Sequence, residues 1–222
     1  MIEFHYGALK GIARLPKAFK KGEKYPAILF LHGAGTRGCD LEVLKNNQFF
    51  NVTGEYEDFP FISIAPQCHT NSWFELLCEL ISLVKAMSKA TEIDNERIYL
   101  MGNSMGGYGT WQLAMSCPEY FAAIVPICGG GMYWNAARLM YLPVWAHHGD
   151  RDPVVYPEES IKMVEAINQK GGDAKITLYE RCGHDAWTPT FKNYGVFEWM
   201  LSKKNLNNPA SSENFSDERL YG

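Results

Sequence analysis

The chain has 222 residues, of which 46% are hydrophobic and 21% charged, and this is enough apolar material to bury a large core within one domain. A formal net charge of -4, without a run of basic residues, excludes the electrostatic footprint of a nucleic-acid-binding protein. No apolar stretch approaches the roughly 18 residues that a membrane-spanning helix needs.

The N-terminal sequence and the cysteines indicate the cellular compartment. MIEFHYGALKGIARL lacks the basic start, the apolar block and the small-residue cleavage site of a signal peptide, so we predict a cytoplasmic protein. The cysteines are scattered, without the C-x-x-C spacing of zinc or redox sites, and a chain of this size has enough core to fold without disulfides. We therefore expect reduced, mostly structural thiols at Cys39, Cys68, Cys78, Cys117, Cys128 and Cys182.

The first half of the chain predicts an edge hairpin, two further strands and a helix. Residues 1–24 mix short alternating segments with turn residues, and residues 15–19 predict a strand that leads into an exposed turn. Tyr25–Leu31 is a bounded apolar run, which predicts a central strand buried on both faces. The elements that follow are a loop rich in Gly, Thr and Asn to about residue 58, a strand at residues 59–65 and an amphipathic helix at residues 73–90.

The second half alternates strands with helices. The predicted elements are a strand at residues 97–101, a helix from 107 to about 117, a strand at 121–128, a flexible glycine loop at 129–131, a strand at 143–148, a helix at 158–171, a strand at 175–179 and a final helix at 191–201. This rhythm predicts an α/β fold, with a mostly parallel sheet, helices on both faces and the C-terminal strand ends at one rim. We assign residues 1–204 to one domain and residues 205–222 to a polar C-terminal tail that is loose or packs against a partner.

A candidate nucleophile lies between the strand at residues 97–101 and the helix that follows. The sequence GNSMG at residues 102–106 fits the pattern G-x-S-x-G, which can occur by chance but here joins a strand directly to a helix. In such a turn the serine backbone is strained and its hydroxyl stands above the sheet edge, near the helix N-terminus. A side chain at Gly102 or Gly106 would collide with the neighbouring strand or helix. The pattern predicts that Ser104 is a nucleophile.

Ser104 would need a neutral imidazole to accept its proton and a carboxylate to orient that imidazole. We favour His184 among the six histidines, because it lies just after the last strand and completes the chain order serine, acid, histidine. His32 ends the first central strand and is expected to shape the loop beside Ser104. One of the strand-end residues His147 and His148 is expected to be buried and hydrogen-bonded.

Two aspartates, Asp150 and Asp152, follow the strand that ends at His148. We predict Asp152 as the acid, because the sequence PVV behind it fixes the chain and places its carboxylate further along the rim. Asp150 is expected to form the turn by bonding nearby backbone N–H groups. The two aspartates, with His147 and His148, could also suggest a metal site. Adjacent histidines on a strand point to opposite faces, however, so we predict no metal.

The oxyanion that forms at a tetrahedral carbon needs two hydrogen-bond donors. The N–H of Met105 follows the nucleophile, and the loop after the first central strand supplies the second, most simply the N–H of Ala34. The interval between the strands at 121–128 and 143–148 is too short for a large helical lid, so the site should be open. Four aromatic residues on loops that reach the rim could stack on a sugar or an aromatic acyl group, or only pack at the loop base: Trp73, Tyr133, Trp134 and Trp187.

Several segments in order carry a resemblance to a known family: YPAILFLHGAG at residues 25–35, APQ at 65–67, residues 102–111, HGDRDPVV at 148–155 and Gly183-His184. Over roughly residues 15–201 the chain resembles the α/β-hydrolase fold. Within that fold it is similar to the small esterases grouped with polyhydroxybutyrate depolymerases, feruloyl and acetylxylan esterases and prolyl-oligopeptidase-like hydrolases. In that pattern the nucleophile maps to Ser104, the acid to Asp152 and the base to His184. The resemblance implies a serine carboxylesterase that acts through an acyl-enzyme, without a cofactor, on small acyl, aryl or carbohydrate-linked esters.

Three other interpretations of the same residues are weaker. Dienelactone hydrolases share this scaffold but use a cysteine nucleophile, so Ser104 argues against that branch. A peptidase of the prolyl-oligopeptidase type would use the same three residues, although the chain offers no propeller-sized domain to select peptides. A non-catalytic binding protein on a hydrolase fold is the third, and the intact Ser104, Asp152 and His184 argue against it.

Overall fold

The computed structural model describes residues 1–209, whose strands form one eight-stranded sheet. The strands are β1 (Ile2–Tyr6), β2 (Leu9–Arg14), β3 (Tyr25–Leu31), β4 (Ile62–Gln67), β5 (Ile93–Asn103), β6 (Ala123–Ile127), β7 (Val144–Gly149) and β8 (Ala174–Tyr179). They lie in the order β1-β2-β4-β3-β5-β6-β7-β8. The pairs β1–β2 and β2–β4 are antiparallel and the other neighbouring pairs are parallel, which confirms the predicted mostly parallel sheet.

Helices cover both faces of this sheet. The α-helices are α1 (Leu41–Lys45), α2 (Gln48–Glu55), α3 (Leu77–Lys89), α4 (Met105–Ser116), α5 (Glu158–Gln169), α6 (Trp187–Lys192) and α7 (Tyr194–Leu201). Short 3-10 helices occur at Ala34–Thr36, Trp73–Leu76, Pro118–Tyr120 and Tyr133–Leu139. Between β6 and β7, where the chain is described throughout, Tyr133–Leu139 is the one helical segment, so no large helical lid is built there.

Two buried clusters fill the space between the helices and the sheet. One cluster joins α3, α4 and α5 to one face, and the other joins α1, α2, α6 and α7 to the opposite face. Leu29 and Leu31 of β3 belong to the first cluster, whereas Ile28 and Phe30 belong to the second. Alternate side chains of a strand point to opposite faces, so β3 is buried on both, as predicted. This is the α/β-hydrolase fold.

The predicted edge hairpin is present, but its strands lie earlier in the chain. β1 and β2 pair around Gly7, whose φ of +57° suits a tight turn. Residues 15–24 contain no strand, so the strand predicted at residues 15–19 is wrong. Pro16 lacks the backbone N–H that a strand would donate to its neighbour, which disfavours a strand at residues 15–19. The side chains of β1, in contrast, alternate between exposed and more buried positions, as in a strand with one buried face.

The segment predicted as a loop up to about residue 58 contains α1 and α2. Asp40 and Asn47 precede these helices, and each side chain accepts a hydrogen bond from a first-turn N–H at 3.0 Å. Asp and Asn are strong N-cap residues, so a signal for both helices was present in the sequence. The helix predicted at residues 191–201 is two helices, because Asn193 ends α6 and caps α7.

The glycine loop at residues 129–131 is a packed element and not a flexible one, contrary to prediction. Gly129 and Gly130 are buried. A Cβ on Gly129 would collide with the backbone of Gly107 and Tyr108 in α4. Glycine therefore lets β6 and the nucleophile helix approach closely here.

The first residues of the predicted polar tail lie on the domain. The N–H of Asn205 donates to the carbonyl of Glu96 at 2.8 Å, and Nδ2 of Asn208 donates to the carbonyls of Asn95 and Tyr120 at 2.8 and 3.0 Å. Residues 210–222, the remainder of that tail, lie outside the described residues. Within residues 1–209, none of the helices combines the length and the apolar character that crossing a membrane requires.

Candidate active site

Ser104 occupies a strained turn between β5 and α4. Its φ of 56° and ψ of -118° are rare for a residue other than glycine. Its N–H donates to the carbonyl of Ile127 at 2.8 Å, which ties the turn to β6. A Cβ at Gly106 would collide with the carbonyl of Leu31, and a Cβ at Gly102 would collide with that of Gly106. Both glycines are therefore required for the reason that the sequence predicts.

Three parallel strands carry the predicted serine, acid and histidine to one end of the sheet. Ser104 follows β5, Asp152 follows β7 and His184 follows β8, so all three lie beyond C-terminal strand ends. Ser104 Oγ lies 2.8 Å from His184 Nε2, and His184 Nδ1 lies 2.7 Å from Asp152 Oδ2. The structure brings the three residues into the arrangement that a nucleophile, a base and an orienting acid need.

The Asp152 side chain is 3% exposed and is held on both carboxylate oxygens. Its Oδ1 accepts hydrogen bonds from the N–H groups of Val154 and Val155 at 2.9 and 3.0 Å. Burial raises the pKa of this carboxyl, but the hydrogen bonds from His184 and from the two N–H groups outweigh burial, and the pKa lies below its ordinary value. The ionised carboxylate accepts Nδ1–H of His184, which leaves Nε2 free to accept the proton of Ser104.

The other polar residues near the end of β7 have separate partners. Asp150 accepts the backbone N–H of Cys182 at 3.1 Å, which joins its turn to the loop after β8. His147 and His148 are both fully buried and face opposite sides of the strand. His147 Nδ1 lies 3.1 Å from the hydroxyl of Tyr179, and burial lowers the pKa of His147 to about 3. His148 lies on the side of the acid, with Nε2 3.3 Å from Asp152 Oδ2.

The two predicted oxyanion donors flank Ser104. Met105 is the first residue of α4, and a helix leaves its first N–H groups without intrahelical partners. Ala34 lines the same cleft as Ser104, and a Cβ on the preceding Gly33 would lie 3.5 Å from the Ser104 Cβ. The loop after β3 therefore runs directly beside Ser104, and the donor role of these two N–H groups stays a prediction.

His32 fixes that loop. Its Nε2 accepts the N–H of Cys68 at 3.0 Å, so Nδ1 carries the proton and donates to the carbonyl of Gly33 at 2.7 Å. The indole N–H of Trp73 donates to the His32 carbonyl at 2.9 Å. Burial lowers the pKa of His32 to about 4, so the ring is neutral at pH 7. These bonds tie the loop to the end of β4, in line with the predicted role of His32.

A cleft of about 410 Å³ opens at Ser104. Its lining comes from the loop after β3, the start of α2, the nucleophile turn and the loops after β7 and β8, namely Gly33, Ala34, Gly35, Thr36, Asn47, Gln48, Asn103, Ser104, Val154, His184 and Trp187. The wall formed by Asn47 and Gln48 was not predicted, because the glycine, threonine and asparagine content of that segment indicates a loop. The N-cap signal at Asn47 was the available indication of a helix there.

Only one of the four predicted rim aromatics lies in this cleft. Trp187 lines it, and its ring meets the His184 ring edge to face at 5.2 Å between centroids. Trp73 does not reach the cleft: it is 1% exposed and belongs to the core, which is the packing alternative that the sequence left open. Tyr133 and Trp134 are 57% and 72% exposed and do not line the cleft, because the 3-10 helix that carries them directs them to solvent.

Among the described residues, one group could offer three metal ligands. Cys128 Sγ, an Asp152 oxygen and a His184 nitrogen lie within 4.8 Å of one another. Burial raises the pKa of Cys128 to about 12, and its Sγ–H donates to the carbonyl of His184 at 3.1 Å. Asp152 and His184 already hydrogen-bond each other, and the set fits a catalytic triad better than a metal centre.

The sheet order and the strained serine turn define a protein of the α/β-hydrolase fold. Within that class the chain belongs to the Dienelactone hydrolase family, whose model matches residues 61–194. This match corrects the expectation that Ser104 separates the chain from the dienelactone hydrolases. Ser104 lies inside the matched segment, so a serine at that position does not exclude this family.

The chain is similar in structure to a solved esterase and in sequence to segments of two larger proteins. A crystal structure of a thermostable esterase superposes with a TM-score of 0.76 at 32% identity, covering 88% of this chain and 59% of that one. The bifunctional acetylxylan esterase/xylanase XynS20E of Neocallimastix patriciarum is 24% identical over 134 residues, 59% of this chain and 20% of that protein. Dipeptidyl-peptidase 5 of Porphyromonas gingivalis is 22% identical over 221 residues, 77% of this chain and 32% of that protein. The chain thus spans less than two thirds of each relative.

Proposed function

We propose that the protein is a serine carboxylesterase. The observation that carries this proposal is the continuous hydrogen-bond chain from Ser104 Oγ through the His184 ring to the buried Asp152 carboxylate, at the mouth of an open cleft. A serine hydroxyl alone is a weak nucleophile, and this arrangement supplies the base and the orienting acid that it needs.

The proposed reaction has two halves. Ser104 Oγ bonds to the ester carbonyl carbon while its proton passes to His184 Nε2, and the oxyanion accepts hydrogen bonds from the N–H groups of Ala34 and Met105. His184 then returns the proton to the departing alcohol, and the acyl group stays on Ser104. Water attacks the acyl-enzyme by the same route, which releases the acid and restores Ser104. Asp152 holds His184 in the Nδ1–H form throughout, and no cofactor takes part.

Small acyl, aryl or carbohydrate-linked esters are the proposed substrates. The cleft has the volume of a small-ligand site. It offers the Trp187 ring for stacking and the amide side chain of Gln48 for hydrogen bonds. The partial relatives named as esterases support the same reaction class, and one of them is named for acetylxylan.

The first experiment compares hydrolysis of p-nitrophenyl acetate and butyrate by the wild type and Ser104→Ala. We expect kcat to fall by at least about a thousandfold in the variant, since the nucleophile is removed. Equal rates for the wild type and Ser104→Ala would show that Ser104 is not the nucleophile. A panel of feruloyl esters and acetylated sugars, measured alongside, identifies the acyl and alcohol groups that the cleft prefers.

A peptidase is the second candidate, because the chain also resembles Dipeptidyl-peptidase 5 over 77% of its length. Cleavage of a proline-containing amide substrate at a rate comparable to ester hydrolysis would favour it. A non-catalytic binding protein on the same fold is tested separately with a fluorophosphonate probe. Failure of the probe to label Ser104 in the folded protein would favour the binding protein and contradict the proposed esterase activity.

A further inference from the structure

The acid of the proposed triad lies between two imidazoles. His148 precedes the end of β7 and is fully buried. Its Nε2 is 3.3 Å from Asp152 Oδ2, the same oxygen that lies 2.7 Å from His184 Nδ1. The nearer neighbour of His148 Nε2, and its hydrogen-bond partner, is the carbonyl oxygen of Val155, at 2.9 Å. Nothing in the proposed reaction uses His148.

The neighbours of His148 determine where its ring carries a proton. A carbonyl oxygen and an ionised carboxylate oxygen can only accept, so Nε2, which faces both, must donate. At the other side of the ring, Nδ1 lies 2.8 Å from Ser160 Oγ, and that oxygen lies 2.7 Å from the carbonyl of Gly129. The single hydroxyl proton of Ser160 goes to Nδ1 when the ring is neutral and to Gly129 when it is doubly protonated. In both cases Nε2–H remains in place.

Burial favours the neutral ring, because it lowers the pKa of His148 against the opposing effects of Val155 and Asp152. The proton lies on Nε2 because the chain reversal after β7 folds residues 152–155 back over the ring and brings two acceptors to that nitrogen.

The same contacts close the turn that carries the acid. His148 Nε2 faces the carbonyl of Val155, while the N–H of Val155 donates to Asp152 Oδ1 at 3.0 Å. Both oxygens of Asp152 are thereby fixed, one by backbone N–H groups and one by two imidazoles. Among the described residues, the titratable groups that act on the pKa of His148 are Asp152, which raises it, and His184, which lowers it.

We propose that His148 is a positioning residue of this site: its Nε2–H donates to the Val155 carbonyl and also faces Asp152 Oδ2, and this second, longer contact draws negative charge from the oxygen that faces His184 and keeps His184 in its neutral, proton-accepting form at lower pH. This inference rests on the proposed function. The physical reason is that a carboxylate stabilises a neighbouring imidazolium, and a second donor on the same oxygen weakens that stabilisation.

The test compares pH profiles of kcat/KM on p-nitrophenyl acetate for three variants. His148→Phe removes the donor, and we expect the acid limb of its profile to move to higher pH by about half a unit or more. His148→Gln can place an amide N–H towards Asp152 and should restore most of the wild-type profile. Ser160→Ala is the matched control, because it removes a bond on the far side of the ring and leaves the Nε2 contacts in place. Its acid limb should not move.

An acid limb that stays in place or moves to lower pH in folded His148→Phe would overturn the proposal and leave His148 a structural residue. Should that variant fail to fold, ¹⁵N-histidine NMR of the wild type takes its place: a protonated His148 Nε2 whose signal moves as His184 titrates supports the proposal, and a deprotonated Nε2, or one whose signal is insensitive to His184, overturns it. The experiment also separates this inference from the proposed function. If no ester is hydrolysed, NMR titration of the His184 ring signals in each variant still reports whether their midpoint rises when His148 is replaced.

Discussion

The hydroxyl oxygen of Ser104 lies 2.8 Å from Nε2 of His184, although the two residues are 80 positions apart in the chain. Each stands at the end of a parallel strand, β5 or β8, and the sheet places two further strands between them. The loops after β7 and β8 therefore have to return over the sheet edge to complete the site. The contact depends on those loops, so substitutions that alter them test the proposed chemistry directly.

Asp152→Asn should lower kcat on p-nitrophenyl acetate by roughly a thousandfold to ten-thousandfold, with little change in KM. An amide can donate to His184 Nδ1 and so favour the tautomer with its proton on Nε2, which cannot accept the proton of Ser104. Asp150→Asn is the control, because the Asp150 side chain accepts the N–H of Cys182, a bond that an amide oxygen can also accept. Steady-state kinetics of both variants check this. If Asp150→Asn lost activity and Asp152→Asn kept it, the orienting acid would be Asp150 and our assignment would be wrong.

Ala34→Pro should lower kcat by about a hundredfold to a thousandfold, because it removes the N–H that we propose as an oxyanion donor, and such a donor contributes on the order of 3 kcal/mol. The backbone tolerates the change: Ala34 is the first residue of a 3-10 helix, and Gly33 has φ -75° and ψ 174°, which a residue before proline can adopt. Ala34→Gly keeps the N–H and should lose far less. Kinetics that do not distinguish the two variants would place the second donor elsewhere in the loop.

Trp187→Ala should raise KM for aryl esters by about threefold to tenfold, because the ring lines the cleft and packs against His184. Trp134→Ala serves as the control, since Trp134 is 72% exposed and lies outside the cleft. KM measured for feruloyl and acetyl esters separates stacking on the substrate from a general effect on His184. Equal increases for both substrates would argue against stacking.

The protein should lose stability as pH falls from about 6.5 to 4.5. Burial lowers the pKa of His32 to about 4 and that of His147 to about 3, whereas an unfolded histidine titrates near pH 6.5. In this window the unfolded chain binds protons that the folded chain does not, so acid favours unfolding, and above about pH 6.5 this contribution is constant. Each histidine should account for roughly 2 to 3 kcal/mol of the decrease at pH 4.5.

Urea unfolding at pH 7 and 4.5 measures that decrease, and His147→Phe should reduce it. The substitution removes the titrating ring, while the Tyr179 hydroxyl keeps its hydrogen bond from Thr190. His5→Gln, at an exposed position, should not alter the pH dependence. An unchanged decrease in His147→Phe would show that His147 titrates normally in the folded protein.

The sequence by itself determined the features that depend on local backbone or on chain order. The G-x-S-x-G turn is local, because only glycine fits at positions 102 and 106 beside the Ser104 turn. The alternation of strands and helices gave the sheet class, and the order of Ser104, Asp152 and His184 matched one known arrangement. Asp40 and Asn47 show that a further local signal, the helix cap, was present but not used.

Only the tertiary structure decided which side chains from distant segments contact one another. The sequence places both Trp73 and Trp187 on loops near the rim. In the structure Trp73 is buried, with its indole N–H on the carbonyl of His32, whereas Trp187 reaches the cleft beside His184. His148 meets Asp152 because the loop after β7 folds back on its own strand. Such contacts depend on which elements pack together, and spacing along a single chain does not specify that packing.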